Sequence, residues 1–235
     1  MSAILIFMAG IACIVAWWMA RQRLTSKPWL ETGLADDAPE MRGSSATTAK
    51  VGLGIFLAVV GALFALLISA YLTRLSGPDW WSIPIPRLLW VNTAALAASS
   101  VALQWAKTEA RLDHSEMLNT ALAVAFVLAV LFLAGQVLAW RQLVAAGYFL
   151  AENPSNSFFY MITGLHGLHI LGGLFVLGRT TIRAQTASRA PAKVRLSVDL
   201  CAIYWHFMLV VWLVLFALFA GWANSFADLC RQLVT

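Results

Sequence analysis

The sequence predicts an all-α membrane protein, a bundle of six transmembrane helices with the N-terminus and the C-terminus both outside. Three observations lead there. Of 235 residues, 61% are hydrophobic and 11% charged, where an ordinary soluble domain is about 45–50% apolar and about 25% charged. Six stretches, each long enough to cross the hydrocarbon core, hold no Asp, Glu, Lys or Arg. The basic residues between them alternate in density from loop to loop. A globule of this size needs more charge than this to cover a wetted surface. A typical soluble enzyme, a disordered chain and the usual nucleic-acid module are thereby excluded.

The six stretches are 3–20, 51–73, 88–106, 118–140, 158–178 and 200–222. A spanning helix needs roughly 20 apolar residues, because the hydrocarbon core is about 30 Å thick and the rise is about 1.5 Å per residue. Ionised groups are costly at mid-membrane, so their exclusion from all six stretches is a strong signal. Span one is read as a retained anchor, residues 1–23. It has no basic residue before it, Arg21, Arg23 and Lys27 follow it, and no small-x-small cleavage site precedes Trp17 and Trp18. Residues 24–50 follow as a cytoplasmic loop, with Pro28, Pro39 and the Gly43-Ser-Ser-Ala-Thr-Thr48 run. Such a composition predicts irregular chain. Residues 51–223 form the five-helix core and 224–235 a tail. Between spans two and three, Trp80 and Trp81 stand beside Pro78, Pro84 and Pro86, a pattern suited to the headgroup zone, where an indole ring is half solvated.

Orientation follows from the loops. Loops 21–50, 107–117 and 179–199 carry twelve of the sixteen Lys and Arg residues; the other four lie in 74–87, 141–157 and the C-terminal tail. The positive-inside rule places the richer loops in the cytoplasm and both termini outside. The net charge of +5 is therefore a topology signal, and no nucleic-acid partner is expected. Cys13, Cys201 and Cys230 are far apart with no CxxC pair, a pattern that supports neither a disulfide framework nor a zinc or Fe–S site.

Polar groups inside the spans are few. His166 and His169, three residues apart, share one helical face with Gly173; Gly164 and Gly167 fall on the other face and permit close approach of a neighbour. A helix with demands on both faces belongs inside the bundle. By helical rise, His169 lies roughly 13 Å and His206 roughly 9 Å from the inner ends of their spans, so the two are at depths that let them meet. One reading is a metal or haem site built from these imidazoles. The other is a set of neutral histidines hydrogen-bonded between helices or to a lipid headgroup, and the lack of a nearby Cys, Asp or Glu favours it. Asn92 and Thr93 in span three, Gln136 in span four and Thr163 in span five read as interhelical hydrogen bonders. Trp205 and Trp212, seven apart, form an aromatic packing stripe. No Walker loop, GxGxxG or HExxH is present. Without a mid-membrane ionisable group, a stand-alone permease or channel is disfavoured.

Two segments carry a resemblance. Ser157-Phe-Phe-Tyr-Met-Ile-Thr-Gly-Leu-His-Gly-Leu-His-Ile-Leu-Gly-Gly173 closely resembles the penultimate helix of subunit III of haem-copper oxidases, the cytochrome c oxidase subunit III family. Tyr204-Trp-His-Phe-Met-Leu-Val-Val-Trp-Leu213 resembles that family's last helix. Weaker likeness runs through Leu89-Trp-Val-Asn-Thr-Ala-Ala-Leu96, Gly54-Ile-Phe-Leu57 and Ala70-Tyr-Leu72. The resemblance covers about residues 50–223, with spans two to six as the family's five-helix core. It implies a divergent short form and a non-catalytic subunit with no haem, no copper and no active site of its own. Its partners would be catalytic subunit I, which carries the haem and copper, and subunit II. Phospholipid would bind in a cleft between helix groups. The complex would carry electrons from cytochrome c or quinol to O2 in aerobic respiration, and the location implied is the bacterial inner membrane.

His166, His169, His206, Tyr204, Trp205, Arg141, Gln136 and Asn92 are the expected lipid-facing or interhelical polar residues. Val60, Ala139 and Leu209 stand where the family often carries a membrane Glu or Asp. Two alternatives remain open at this stage, an accessory subunit of a related nitric oxide reductase and a small membrane transporter.

Overall fold

The computed structural model describes residues 44–75, 77, 79–81, 83–186 and 192–221. These belong to the part of the chain that begins at Ser44. Span one (3–20), loop residues 24–43, Cys13, Cys230 and the tail 224–235 lie outside the described residues. Five helices are described: α1 (Ser44–Arg74), α2 (Leu88–Leu112), α3 (Ser115–Ala145), α4 (Pro154–Gln185) and α5 (Ala192–Phe219).

α1 to α4 contain spans two to five and run past them, while α5 begins before span six and ends at Phe219, short of residue 222. The expectation of irregular chain up to residue 50 is corrected here, because residues 44–50 are already helical. Charge bounds the apolar spans, but Lys, Arg and Glu are good helix formers and carry a helix on into the headgroup zone. The breaks come from backbone chemistry instead. Pro84 and Pro86 bias the residues before them away from helix, so α2 starts only at Leu88. Asp113 separates α2 from α3 in the left-handed region at φ 62°, which Asp tolerates better than most residues. Gly147, at φ 91°, follows the end of α3. Asn153 caps α4, its side chain accepting from the Ser155 N–H at 3.0 Å, with Pro154 at the first helical position.

The helices run alternately up and down. Lys50 at the start of α1 and Lys107 near the end of α2 both reach Asp199 near the start of α5, at 2.8 and 2.6 Å. At the opposite end, the Asn153 amide donates to the Trp81 carbonyl at 2.8 Å, and Tyr71 of α1 packs on Phe219 of α5 with ring centroids 5.9 Å apart. α5 touches α1, α2 and α4; α4 touches α1, α3 and α5; α2 and α3 form a closely packed pair.

α1, α3, α4 and α5 are long and apolar enough to cross a membrane. α2 is the less apolar helix, because Asn92, Thr93, Ser99, Ser100 and Gln104 interrupt it. Its polar groups are mostly turned inward: Asn92, Ser99 and Ser100 are buried. Ser99 donates to the Ala125 carbonyl of α3 at 2.9 Å, and Thr93 accepts from the Trp212 indole N–H of α5 at 2.9 Å. α1 is apolar around its whole circumference, and Val59 and Leu66 are among its exposed residues. A helix of this kind needs an apolar surrounding on its free face.

Candidate functional site

A cavity of about 470 Å³ opens between α1, α4 and α5. Leu53 and Phe56 line it from α1, His169, Gly172, Gly173 and Val176 from α4, and Cys201, Tyr204 and Trp205 from α5. The sequence builds it with small residues facing large ones. A Cβ placed on Gly173 would collide with the Tyr204 ring and come within 2.8 Å of the Trp205 ring. Those two rings fill the space beside the bare α4 backbone and form the floor. The Tyr204 hydroxyl donates to the His169 carbonyl at 2.7 Å, tying α5 to α4. His169 hydrogen-bonds the Leu165 carbonyl of its own helix through Nδ1 at 2.8 Å and sits beside the Phe64 ring at 5.6 Å. The Tyr204 hydroxyl and His169 Nδ1 are thus engaged with protein, the buried Trp205 Nε1 has no hydrogen-bond partner, and the rest of the lining is mostly apolar. Such a space suits an alkyl chain.

His166 has a different surrounding. It is fully buried, enclosed by Phe64 of α1, Phe132 of α3 and Trp212 of α5, with centroid distances of 6.1, 5.8 and 5.0 Å. Both ring nitrogens lack a hydrogen-bond partner. Gln136 is buried and unpartnered at both amide atoms. It lies one turn from Phe132, which meets His166, and one turn from Trp140, which donates to the Thr163 hydroxyl at 3.1 Å. The buried Asn92 side chain rests against Gly135, where an added Cβ would approach its Cγ to 2.8 Å.

The structure brings His169, Tyr204 and Trp205 together and leaves the other expected residues elsewhere. His169 and His206 do not meet. His206 faces α2, where Nδ1 lies 3.3 Å from the Ser100 hydroxyl and 2.6 Å from the Ala202 carbonyl. Two positions apart on a helix, Tyr204 and His206 point to different neighbours. Equal depth did not imply a shared face. Arg141 is exposed near the end of α3, away from the cavity. Gly164 and Gly167 meet side chains rather than a close backbone, Trp140 at 3.6 Å and Leu133 at 3.8 Å. Trp205 and Trp212 are both buried packing residues, as the stripe suggests. Val60 and Ala139 are buried and Leu209 partly buried. Among the described residues, no three His, Cys, Asp or Glu side chains come close enough to hold a metal ion.

Sequence reasoning passed over the apolar lining, since Leu53, Phe56 and Val176 carry no chemical signature. It also missed the cluster where Lys50 and Lys107 converge on Asp199. These residues come from three helices, and only the tertiary fold joins them.

The profile of the family described as Cytochrome c oxidase subunit III matches residues 48–224. A Synechocystis protein named Cytochrome c oxidase subunit 3 is 31% identical over 172 residues, covering 71% of this chain and 72% of that one. A Thermostichus vulcanus protein of the same name is 28% identical over 175 residues, covering 72% and 84%. A Mycobacterium bovis protein named Probable cytochrome c oxidase subunit 3 is 31% identical over 176 residues, covering 71% and 84%. The apolar helices and these bacterial relatives describe an integral protein of a bacterial inner membrane. Matched over its whole helical core, the chain belongs to the cytochrome c oxidase subunit III family.

Proposed function

We propose that this chain is the non-catalytic subunit III of a respiratory haem-copper terminal oxidase. It packs on catalytic subunit I, with subunit II in the same complex, and holds phospholipid. The complex passes electrons from cytochrome c or quinol to O2, and its haem and copper reside in the partner. The carrying observation is the apolar cavity of about 470 Å³ floored by Tyr204 and Trp205. Its lining offers a lipid tail burial and offers a polar substrate very little. Burial of apolar surface is worth roughly 25 cal/mol per Å², so an acyl chain lying there gains affinity without any charged contact. A lipid so held braces α1 against α4 and α5, which is physical support rather than chemistry. The six-span topology with both termini outside, and residues 1–23 as an anchor, belong to the same proposal. They rest on the loop charges and on the alternating directions of α1 to α5.

The test compares the purified oxidase with and without this chain. Equal initial turnover, with faster inactivation in the depleted complex, supports the reading. Identical turnover and identical persistence would overturn it. Delipidation of the intact complex followed by re-addition of phospholipid tests the cavity: recovery of persistence in the wild type, and loss of that recovery in Gly173→Leu, are expected.

A further inference from the structure

Between α2, α3, α4 and α5 stand three buried side chains with polar atoms that find no partner in the protein: Asn92 of α2, Gln136 of α3 and His166 of α4. We propose that they form a binding site for ordered water, which hydrogen-bonds these three helices to one another at a depth that bulk water does not reach.

Placement is the first argument. α3 and α4 run antiparallel; Phe132 meets His166, and Trp140 meets Thr163. Gln136 is one turn from both Phe132 and Trp140 and so shares their face. Its amide is set against the turn of α4 between Thr163 and His166. Asn92 comes to the same level from α2, its amide against Gly135. Trp212 of α5 closes the remaining side, its ring centroid 5.0 Å from those of both His166 and Phe132. Asn92, Gln136 and His166 are only 3%, 2% and 0% exposed, so membrane or solvent contact does not serve them.

Hydrogen-bond accounting is the second. The nearby polar groups are already spent. The Thr163 hydroxyl donates to the Phe159 carbonyl at 2.6 Å and accepts from the Trp140 indole N–H at 3.1 Å. The Trp212 N–H donates to Thr93 at 2.9 Å. Five atoms are left over: Asn92 Nδ2, Gln136 Nε2 and Oε1, and both ring nitrogens of His166. The amide nitrogens donate, the amide oxygen accepts, and an imidazole with one N–H does one of each. Each carries its full desolvation penalty until something small bridges them.

The chemistry of that bridge is the third. The ligand has to accept from some of these groups and donate to others, and it has to be uncharged. Residues 88–106, 118–140, 158–178 and 200–222 hold no Asp, Glu, Lys or Arg, so an ion would find no counter-charge. Water has two lone pairs and two hydrogens, and a buried water ordinarily makes about three hydrogen bonds to groups otherwise unsatisfied. The room required is small, since a water takes about 30 Å³ of liquid volume. Ala139, three positions beyond Gln136 and fully buried, puts only a methyl group beside the amide. None of the three polar residues lines the apolar cavity, so this inference stands apart from what that cavity holds and from the complex the chain serves.

The test uses the intact complex in which the chain purifies. A structure at a resolution that shows ordered water should have water density in contact with Gln136 and His166. X-ray radiolysis gives a second readout, because bound water generates hydroxyl radicals that label the side chains beside it even when they are buried. Phe132 should label above Phe159, which is equally buried and is the control. Gln136→Met keeps the side-chain length and removes both amide atoms; Phe132 labelling should then fall to the level of Phe159. His166→Leu should lower it in the same way with little change in stability, because the water leaves with the imidazole it serves and a dry contact replaces a wet one. A direct Gln136–His166 hydrogen bond with no density between the helices overturns the proposal. So does Phe132 labelling no higher than that of Phe159 in the wild type, or unchanged in Gln136→Met. Should Gln136→Met fail to assemble, the wild-type density and the wild-type comparison of Phe132 with Phe159 decide the matter.

Discussion

Trp212 and His166 touch each other and have opposite hydrogen-bond status. The Trp212 N–H has a partner in Thr93, while neither His166 nitrogen has one. Removing a partnered donor costs about 0.5–1.5 kcal/mol, and interhelical bonds in membranes average about 0.6 kcal/mol. Trp212→Phe should therefore lower the unfolding free energy by about that much in mixed micelles. Trp212→Ala should cost about 3–5 kcal/mol, because it also empties a buried site. His166→Leu removes a polar group that is unpaired and gives up some aromatic contact; the two effects offset. Its stability should change by less than about 1 kcal/mol, and turnover of the complex should not change. A larger loss in either measurement would mean that the imidazole has a working partner. At this scale the sequence was only partly readable. It marked His166, His169, Gln136 and Asn92 as polar groups in apolar helices, but which neighbour each one faces depends on packing that no spacing rule supplies. His206 shows the limit: its depth was right and its direction was toward Ser100.

Helices α4 and α5 meet at Gly173, and the adjacent Gly172 offers a matched control. A Cβ at Gly173 meets the Tyr204 and Trp205 rings, whereas one at Gly172 meets nothing within 4 Å. Gly173→Ala should cost about 1–3 kcal/mol from overpacking and should displace the cavity floor. Gly172→Ala should be neutral or stabilising by up to about 1 kcal/mol, since Ala is the better helix former. Unfolding in mixed micelles checks both, and an equal effect of the two substitutions would show that the α4–α5 contact is looser than described. The existence, order and alternating direction of α1 to α5 were legible from charge-free runs and loop charges. Their ends were not: α2 and α3 continue past the last apolar residue until the left-handed Asp113 and Gly147, and α5 stops at Phe219, before its apolar run is over. α2 was legible as a span only through its lack of charge. Its Ser and Asn residues depress its hydropathy, and their inward placement is a tertiary property.

As a whole, the molecule has two features that share a boundary: an apolar cavity between α1, α4 and α5 and a cationic recess between α1, α2 and α5. Family membership was readable from the Thr163 to His169 and Tyr204 to Phe207 runs, and the profile match over residues 48–224 agrees with them. The recess was not readable, because Lys50 and Asp199 are far apart in sequence and meet only once α1 packs beside α5. Support rather than chemistry predicts that loss of this chain shortens the working life of its complex without changing the reaction. The most direct measurement is the decay of turnover over successive catalytic cycles, in the purified oxidase with this chain present and with it removed. The predicted result is the same initial rate in both and a markedly faster decay in the depleted complex. An unchanged decay, or an initial rate that vanishes with the chain, would contradict it.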